Sequence, residues 1–197
     1  MNNLVIASHN KGKIKEFQML LKNFKINLLS LDDVGITEVI EEDGSTFHEN
    51  AIKKAEGIMR LTKCLTLADD SGLSVEALNG MPGVYSARFA GQDAIDEMNI
   101  MKLLDIMKNV PVDKRNASFI CCIAIARHGY PVLTYEGSCD GYISFSPQGI
   151  NGFGYDPVFM MPEYQKTFAE LSPSIKDKIS HRAKAIDQLK KDLSCFL

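Results

Sequence analysis

Strand-length apolar runs alternating with amphipathic stretches predict an α/β protein, a mixed β-sheet flanked by helices. Leu4 to Ala7 and Cys64 to Ala68 are short apolar runs that end in polar loops. Ile14, Phe17, Leu20 and Leu21 instead recur with the 3.6-residue rhythm of a helix face. The sheet type follows from a third observation: the runs Ala117 to Ala126 and Val132 to Tyr135 meet at His-Gly-Tyr-Pro. That is a hairpin signal, and it argues against a wholly parallel sheet.

Along the chain, Leu4 to Ala7 gives a strand, Ser-His-Asn-Lys-Gly-Lys a loop, and the Ile14 to Leu21 pattern a helix. Thr46-Phe-His-Glu49 has capping-box spacing and predicts a helix from Thr46 to about Thr62, with Ile52, Ala55 and Met59 inward. Cys64 to Ala68 predicts a strand that stops at Asp69-Asp70-Ser71-Gly72. Asp93 is placed to cap a helix over Ala94 to Met107, with Ile100, Leu103, Leu104 and Met107 on one side. Ser172-Pro173 starts a helical end, and His181 to Leu193 continues the apolar rhythm.

The 197 residues suit one domain, 1–197, with a sizeable core, and 45% hydrophobic with 24% charged residues is ordinary for a globular protein. A formal net charge of -3 argues against general nucleic-acid binding but leaves room for a small basic pocket. Five cysteines without a CxxC pair argue against a disulfide framework or structural zinc; Cys121-Cys122, within FICCIAIA, is expected in the core. The N-terminus shows no basic leader with a cleavage site, and no apolar run approaches the ~18–20 residues that span a bilayer. A mature, cytoplasmic protein with no membrane partner is the expectation.

The chemistry concentrates where strands end, the usual place for ligands in α/β sheets. Ser8, His9, Asn10, Lys11, Gly12 and Lys13 lead into a helix N-terminus, which favours phosphate, although the P-loop spacing is absent. A solvated lysine-rich turn accounts for them equally well. Glu41-Glu42-Asp43 offers hard oxygens for magnesium, or simply acids that suit the following helix dipole. Asp69-Asp70-Ser71-Gly72 is either a metal-binding and water-activating pair or a plain turn. Arg88, after the Gly/Pro-rich stretch Asn79 to Val84, can meet a phosphate or an acid. Phe153, between Gly152 and Gly154, can stack on a flat base or fill a core. His181 and Arg182 open the last helix as hydrogen-bond donors or as structural residues.

Together the segments SHNKGK, TFHENAIKKA, ADDSGL, GMPGVYSARFAG, GFGYDP and SHRAKA resemble, in order, the inosine/xanthosine triphosphate pyrophosphatase family, also called Ham1-like purine nucleotide pyrophosphatases. The resemblance runs from residue 8 to about 185. It implies an elongated, twisted mixed sheet in two lobes with the active-site cleft between them, and a homodimer. It implies hydrolysis of aberrant purine nucleoside triphosphates (ITP, dITP, XTP) to monophosphate and pyrophosphate, cleansing the nucleotide pool, with Mg2+ as cofactor. Carried onto this chain, it makes residues 8–13 the triphosphate loop, Lys54 a phosphate-facing lysine, Glu42 and Asp70 the magnesium acids, and Asp70 also the proton acceptor. Ser71 contacts substrate, and Phe153 stacks on the purine with Gly154, Tyr155 and Asp156 completing that wall. Lys176 is a substrate lysine, and His181 with Arg182 meets the base edge. Ser8-His9 departs from the Thr-Gly or Ser-Asn of many relatives. A Maf-like nucleotide pyrophosphatase and a non-catalytic nucleotide binder are the rival expectations.

Overall fold

The computed structural model describes residues 2–196. Among the described residues, seven strands form one open sheet: β1 (Asn2–Ile6), β2 (Ile26–Leu29), β3 (Leu65–Val75), β4 (Asn116–Ala126), β5 (Leu133–Ile143), β6 (Phe159–Met161) and β7 (Lys166–Thr167), ordered β2-β1-β3-β4-β5-β6-β7. β1 pairs in parallel with β2 and with β3, with Leu4 opposite both Leu28 and Leu65. β5–β6 and β6–β7 are antiparallel. The sheet is therefore mixed. Its helices are α1 (Lys11–Leu20), α2 (Phe47–Thr62), α3 (Asp96–Ile106), α4 (Pro173–Ile179) and α5 (His181–Asp192). Among the described residues, no helix is long and apolar enough to cross a membrane.

The chain divides into two compact units, Met1–Asp70 with Cys121–Gly137 and Arg182–Leu197, and Ser71–Ile120 with Ser138–His181. In the first unit, strand alternation sorts side chains onto two faces. Leu4, Ile6, Leu67, Cys121, Ile123 and Ile125 pack with Phe17 and Leu21 around α1 and with Ile186 and Leu189 of α5. The alternate residues Val5, Ala7, Ala68, Cys122, Ala124 and Ala126 pack with Ala51, Ala55 and Ile58 of α2. In the second unit one core holds Leu73, Val75, Ile100, Leu103, Phe119, Tyr155, Phe159 and Phe168. There the buried Arg115 guanidinium donates to the carbonyls of Met107, Val110, Ile143 and Ser144, so a buried cation is satisfied without a carboxylate.

Several expectations shift in detail. Asn10, just before α1, accepts the Lys13 N–H on its side chain, and Thr46 accepts the Glu49 N–H as a cap should. The Glu49 carboxylate takes the N–H and hydroxyl of Ser45. The buried face of α2 is Ala51, Ala55 and Ile58, with Ile52 and Met59 half-buried beside it. α3 starts at Asp96 after Ile95, not behind Asp93, because Gly91 to Ala94 closes its own turn first. β3 does not stop at Asp69; it runs on through Asp-Asp-Ser-Gly to Val75. A strand carries two adjacent acids there because each finds a cation on its own face of the sheet, as described below. β4 and β5 are sheet neighbours as the hairpin signal requires, with β5 extending well past Tyr135. The short β6 and β7 lack a period-2 pattern long enough to read.

Candidate active site

In the first unit the two acids of β3 point to opposite faces. Asp69 shares the face of Leu67, the side of α1 and α5, and Asp70 that of Ala68, the side of α2. Each meets the cations of its own side. The Asp69 carboxylate lies 3.1 Å from Lys13 Nζ of α1 and accepts from Arg182 of α5 at 2.8 Å. Arg182 also donates to Glu16, one turn after Lys13. Asp69 and Arg182 are almost wholly buried, and Lys13 is 16% exposed at its side chain. On the other face Lys54 Nζ of α2 lies 3.1 Å from Glu42 Oε2 and 3.5 Å from Asp70 Oδ1, while Asn50 Nδ2 donates to Asp70 Oδ2 at 3.1 Å. Glu42 is thus the acid of the Glu41-Glu42-Asp43 run whose carboxylate reaches Lys54; Asp43 pairs with Lys53 instead.

The charges of these groups set their proton affinities in opposite directions. Burial opposes ionisation of Asp69, but Lys13, Arg182 and Lys54 outweigh it and hold that carboxyl well below the usual range. Burial dominates at Asp70 and raises its carboxyl above the usual range; Lys54 and Lys13 pull it down, and Glu42 pushes it further up. Burial pulls the Lys54 ammonium down, yet Asp70, Glu42 and Asp69 keep it above its ordinary value. Two neighbouring acids therefore differ in kind: Asp69 is locked as an ion-pair anchor, and Asp70 is the more basic carboxylate.

The triphosphate-loop candidates lie at the end of β1. Ser8 Oγ accepts the Asn10 N–H at 3.1 Å, and His9 Nδ1 lies 3.6 Å from Asp32 of the loop after β2. Lys11 and Gly12 supply the first helical N–H groups of α1, and Lys13 folds back onto Asp69. That is a helix N-terminus with a lysine beside it, the arrangement that suits an anion.

The second unit holds the remaining candidates. Phe153 is half-buried; its N–H donates to Asp156 Oδ2 at 3.0 Å, and the same oxygen binds Lys176 Nζ at 2.5 Å. Lys176, buried in α4, lies 5.0 Å from the Phe153 ring centroid and 5.6 Å from that of Phe168. The loop needs glycine at residue 152: φ is +82°, and a Cβ there would collide with the Asp156 carboxylate. Tyr155 is buried and donates its hydroxyl to the Ser86 carbonyl at 2.9 Å. His181 stacks on Phe119 at 4.8 Å between centroids, 13° from parallel. Arg88 lies over the Tyr85 ring at 5.3 Å, and Ser71 opens the second unit's share of β3. Phe153, Asp156 and Lys176 thus form one group.

Sequence reasoning did not single out Glu16, Asn50, Asp69 on its own, or Phe168. Glu16 was within reach, since Lys13 and Glu16 are spaced i,i+3 on one helix face. The Asp69–Arg182 pair was not, because 113 residues separate its partners.

Residues 4–192 match the model of the Ham1 family. The chain belongs to the Ham1 family. Similar curated proteins include the dITP/XTP pyrophosphatase of Desulforamulus reducens, 53% identical over 93% of this chain and 91% of that protein. The dITP/XTP pyrophosphatase of Bacillus subtilis is 47% identical over 97% and 96%. Among solved structures, a HAM1 protein from Coxiella burnetii aligns with a TM-score of 0.89 at 42% identity, covering 98% of this chain and 99% of that one. The α/β fold with its mixed sheet is that of these Ham1 proteins.

Proposed function

We propose that this Ham1 protein is a nucleoside triphosphate pyrophosphatase that hydrolyses aberrant purine nucleoside triphosphates, ITP, dITP and XTP, to the monophosphate and pyrophosphate. Relatives named dITP/XTP pyrophosphatase at 46–53% identity support the activity. The observation that carries the chemistry is the division of labour between Asp69 and Asp70, one locked by cations and one made more basic by burial. The chain is assigned to work as one domain.

Lys13, Lys54 and the first-turn N–H groups of α1 are assigned to the triphosphate, with Arg88 as a further cation. Asp70 is assigned to orient the attacking water and take its proton, a role that suits a carboxylate of raised basicity. Its second oxygen, bonded to Asn50, fixes the orientation of the carboxyl group. Water attacks the α-phosphorus, and pyrophosphate leaves with its charge stabilised by the two lysines.

Glu42 and Asp70 fit a magnesium ion: both are hard carboxylates, and both already converge on one cation, the Lys54 ammonium. Magnesium commonly takes one or two carboxylates and completes its shell with phosphate and water. Bound there, magnesium would supply charge neutralisation of the triphosphate.

Phe153 is assigned to stack on the purine, within the wall of Gly154, Tyr155 and Asp156, and Lys176 backs that ring. The resemblance gives His181 and Arg182 to the base edge. Because the Arg182 guanidinium is engaged by Asp69 and Glu16, the C6 oxygen is assigned first to His181. A donor there accepts hypoxanthine or xanthine and leaves a buried group unpaired against adenine. A cytoplasmic location and a homodimer complete the proposal.

The test is product analysis with ITP, dITP, XTP, ATP and GTP. Magnesium-dependent pyrophosphate and monophosphate from the first three, abolished by chelation, is the expected result. Asp70→Asn should lose most turnover while nucleotide binding stays measurable. Orthophosphate and diphosphate as products, or near-normal turnover in Asp70→Asn, contradict the assignment.

A further inference from the structure

The loop that carries Phe153 is rich in residues that resist a single path. Gly149, Gly152 and Gly154 all adopt positive φ, at +82°, +82° and +59°. Glycine gives up more backbone freedom on ordering than any other residue, so such a loop holds one shape only where other groups impose it. Several of these constraints are local or come from the following segment: Phe153 N–H to Asp156, Gln148 N–H to the Pro157 carbonyl, and Asn151 N–H to the Ala169 carbonyl.

One comes from elsewhere in the second unit. Asp96, in the first turn of α3, accepts the Gly154 N–H on Oδ2 at 2.6 Å, across 58 residues of sequence. The peptide it grips is the one between Phe153 and Gly154, so this bond bears on the orientation of the ring. α3 is itself firmly seated. One turn on, the buried Asn99 accepts the Ala90 N–H at 2.7 Å and donates to the Ala87 carbonyl at 3.1 Å. Lys102 donates to the Phe89 carbonyl at 2.5 Å, and Ile100 and Leu103 lie in the core. The helix is thus a fixed post, and Asp96 is exposed at its end with its carboxylate turned onto the loop.

We infer that Asp96 is a positioning residue for base recognition, holding the Phe153–Gly154 peptide so that the Phe153 ring presents a fixed face to the purine. The inference rests on the assignment of Phe153 as the base platform. An exposed acid in a first helical turn also stabilises its helix through the dipole, and Glu97 beside it does so equally. Glu97 therefore separates the two roles.

Steady-state kinetics with dITP compare the native protein with Asp96→Ala, Asp96→Asn and Glu97→Ala, alongside the chemical shift of the Gly154 amide. A hydrogen bond to a charged acceptor is strong enough that Asp96→Ala should raise KM roughly tenfold. kcat should hold within about twofold, the pattern of lost binding common to ground and transition states. Asp96→Asn keeps an acceptor oxygen and should recover most of the loss, and Glu97→Ala should leave KM unchanged. The Gly154 amide resonance should shift in Asp96→Ala and not in Glu97→Ala. An unchanged KM in Asp96→Ala, or an equal rise in Glu97→Ala, overturns the inference while native turnover leaves the proposed function standing. Absence of native turnover would instead remove that function and the inference with it.

Discussion

The two groups of candidate residues are built by different physics. In the first unit, Asp69, Arg182, Glu16 and Lys13 on one face, and Asp70, Lys54, Glu42 and Asn50 on the other, are held by ion pairs and hydrogen bonds between side chains far apart in sequence. In the second unit, the buried ion pair Asp156–Lys176 is joined by a backbone N–H group, glycines at positive φ and ring contacts that hold Phe153. A triphosphate needs charge fixed in advance, because reorienting side chains during the reaction forfeits electrostatic stabilisation. A base needs a flat apolar face and a few directed donors. The contrast implies that changes in the first group act on stability and turnover, and changes in the second on affinity and base choice.

Arg182→Ala is the strongest way to break that contrast. It removes one partner of a buried pair and leaves Asp69 and Glu16 with one cation fewer, a loss of about 3–5 kcal/mol. Thermal unfolding should show a Tm drop of roughly 6–20 °C for a chain of this length. A variant that melts within a degree or two of the native protein would show that the charge chain does not hold the region. Phe153→Ala should cost less and in a different currency, about 1–3 kcal/mol of base stacking. Its KM for dITP should rise by roughly one to two orders of magnitude with the melting temperature little changed. A variant that melts much lower, with KM intact, would make Phe153 a core residue.

The smallest effect concerns a partly buried hydrogen bond from a phenol to a carboxylate in the same unit as Arg182. Tyr135 donates its hydroxyl to Asp192 at 3.0 Å, and burial, with the Asp192 hydrogen bond and charge, pushes the phenol from 10.0 up to about 12. The fold favours the neutral phenol, so this contribution is fully present below the unfolded value of 10.0 and is lost as pH rises towards about 12. Tyr135→Phe should lose about 1 kcal/mol at pH 8 and then fall less steeply than the native protein through that window, as read by urea denaturation. Parallel curves for the two proteins would show that Tyr135 does not titrate differently on folding.

Much of this organisation was legible in the sequence where the cause is local. The Thr46 cap and the Pro173 start signal follow from short-range rules, and α2 lies where they put it, whereas α1 begins at Lys11, inside the expected Ser8 to Lys13 loop, with Asn10 as its cap. The Ala-rich alternation of β4 likewise marks both faces of a buried strand. Asp69-Asp70 was misjudged as a strand end because two acids in a strand are costly by local rules. They are tolerated only because Lys13, Arg182 and Lys54 arrive from three helices. Nothing within a few residues of Asp69 announces a partner at residue 182. The same holds for Asp96, which lies inside the expected helix of Ala94 to Met107 but whose contact with Gly154 is set by tertiary packing.

The central claim is that Asp70 directs water onto the α-phosphorus of an aberrant purine triphosphate. Turnover of dITP in 18O-labelled water, with mass analysis of both products, tests it most directly. The account predicts one labelled oxygen in the nucleoside monophosphate and none in the pyrophosphate. Label in the pyrophosphate, with an unlabelled monophosphate, would place the attack on the β-phosphorus and contradict it.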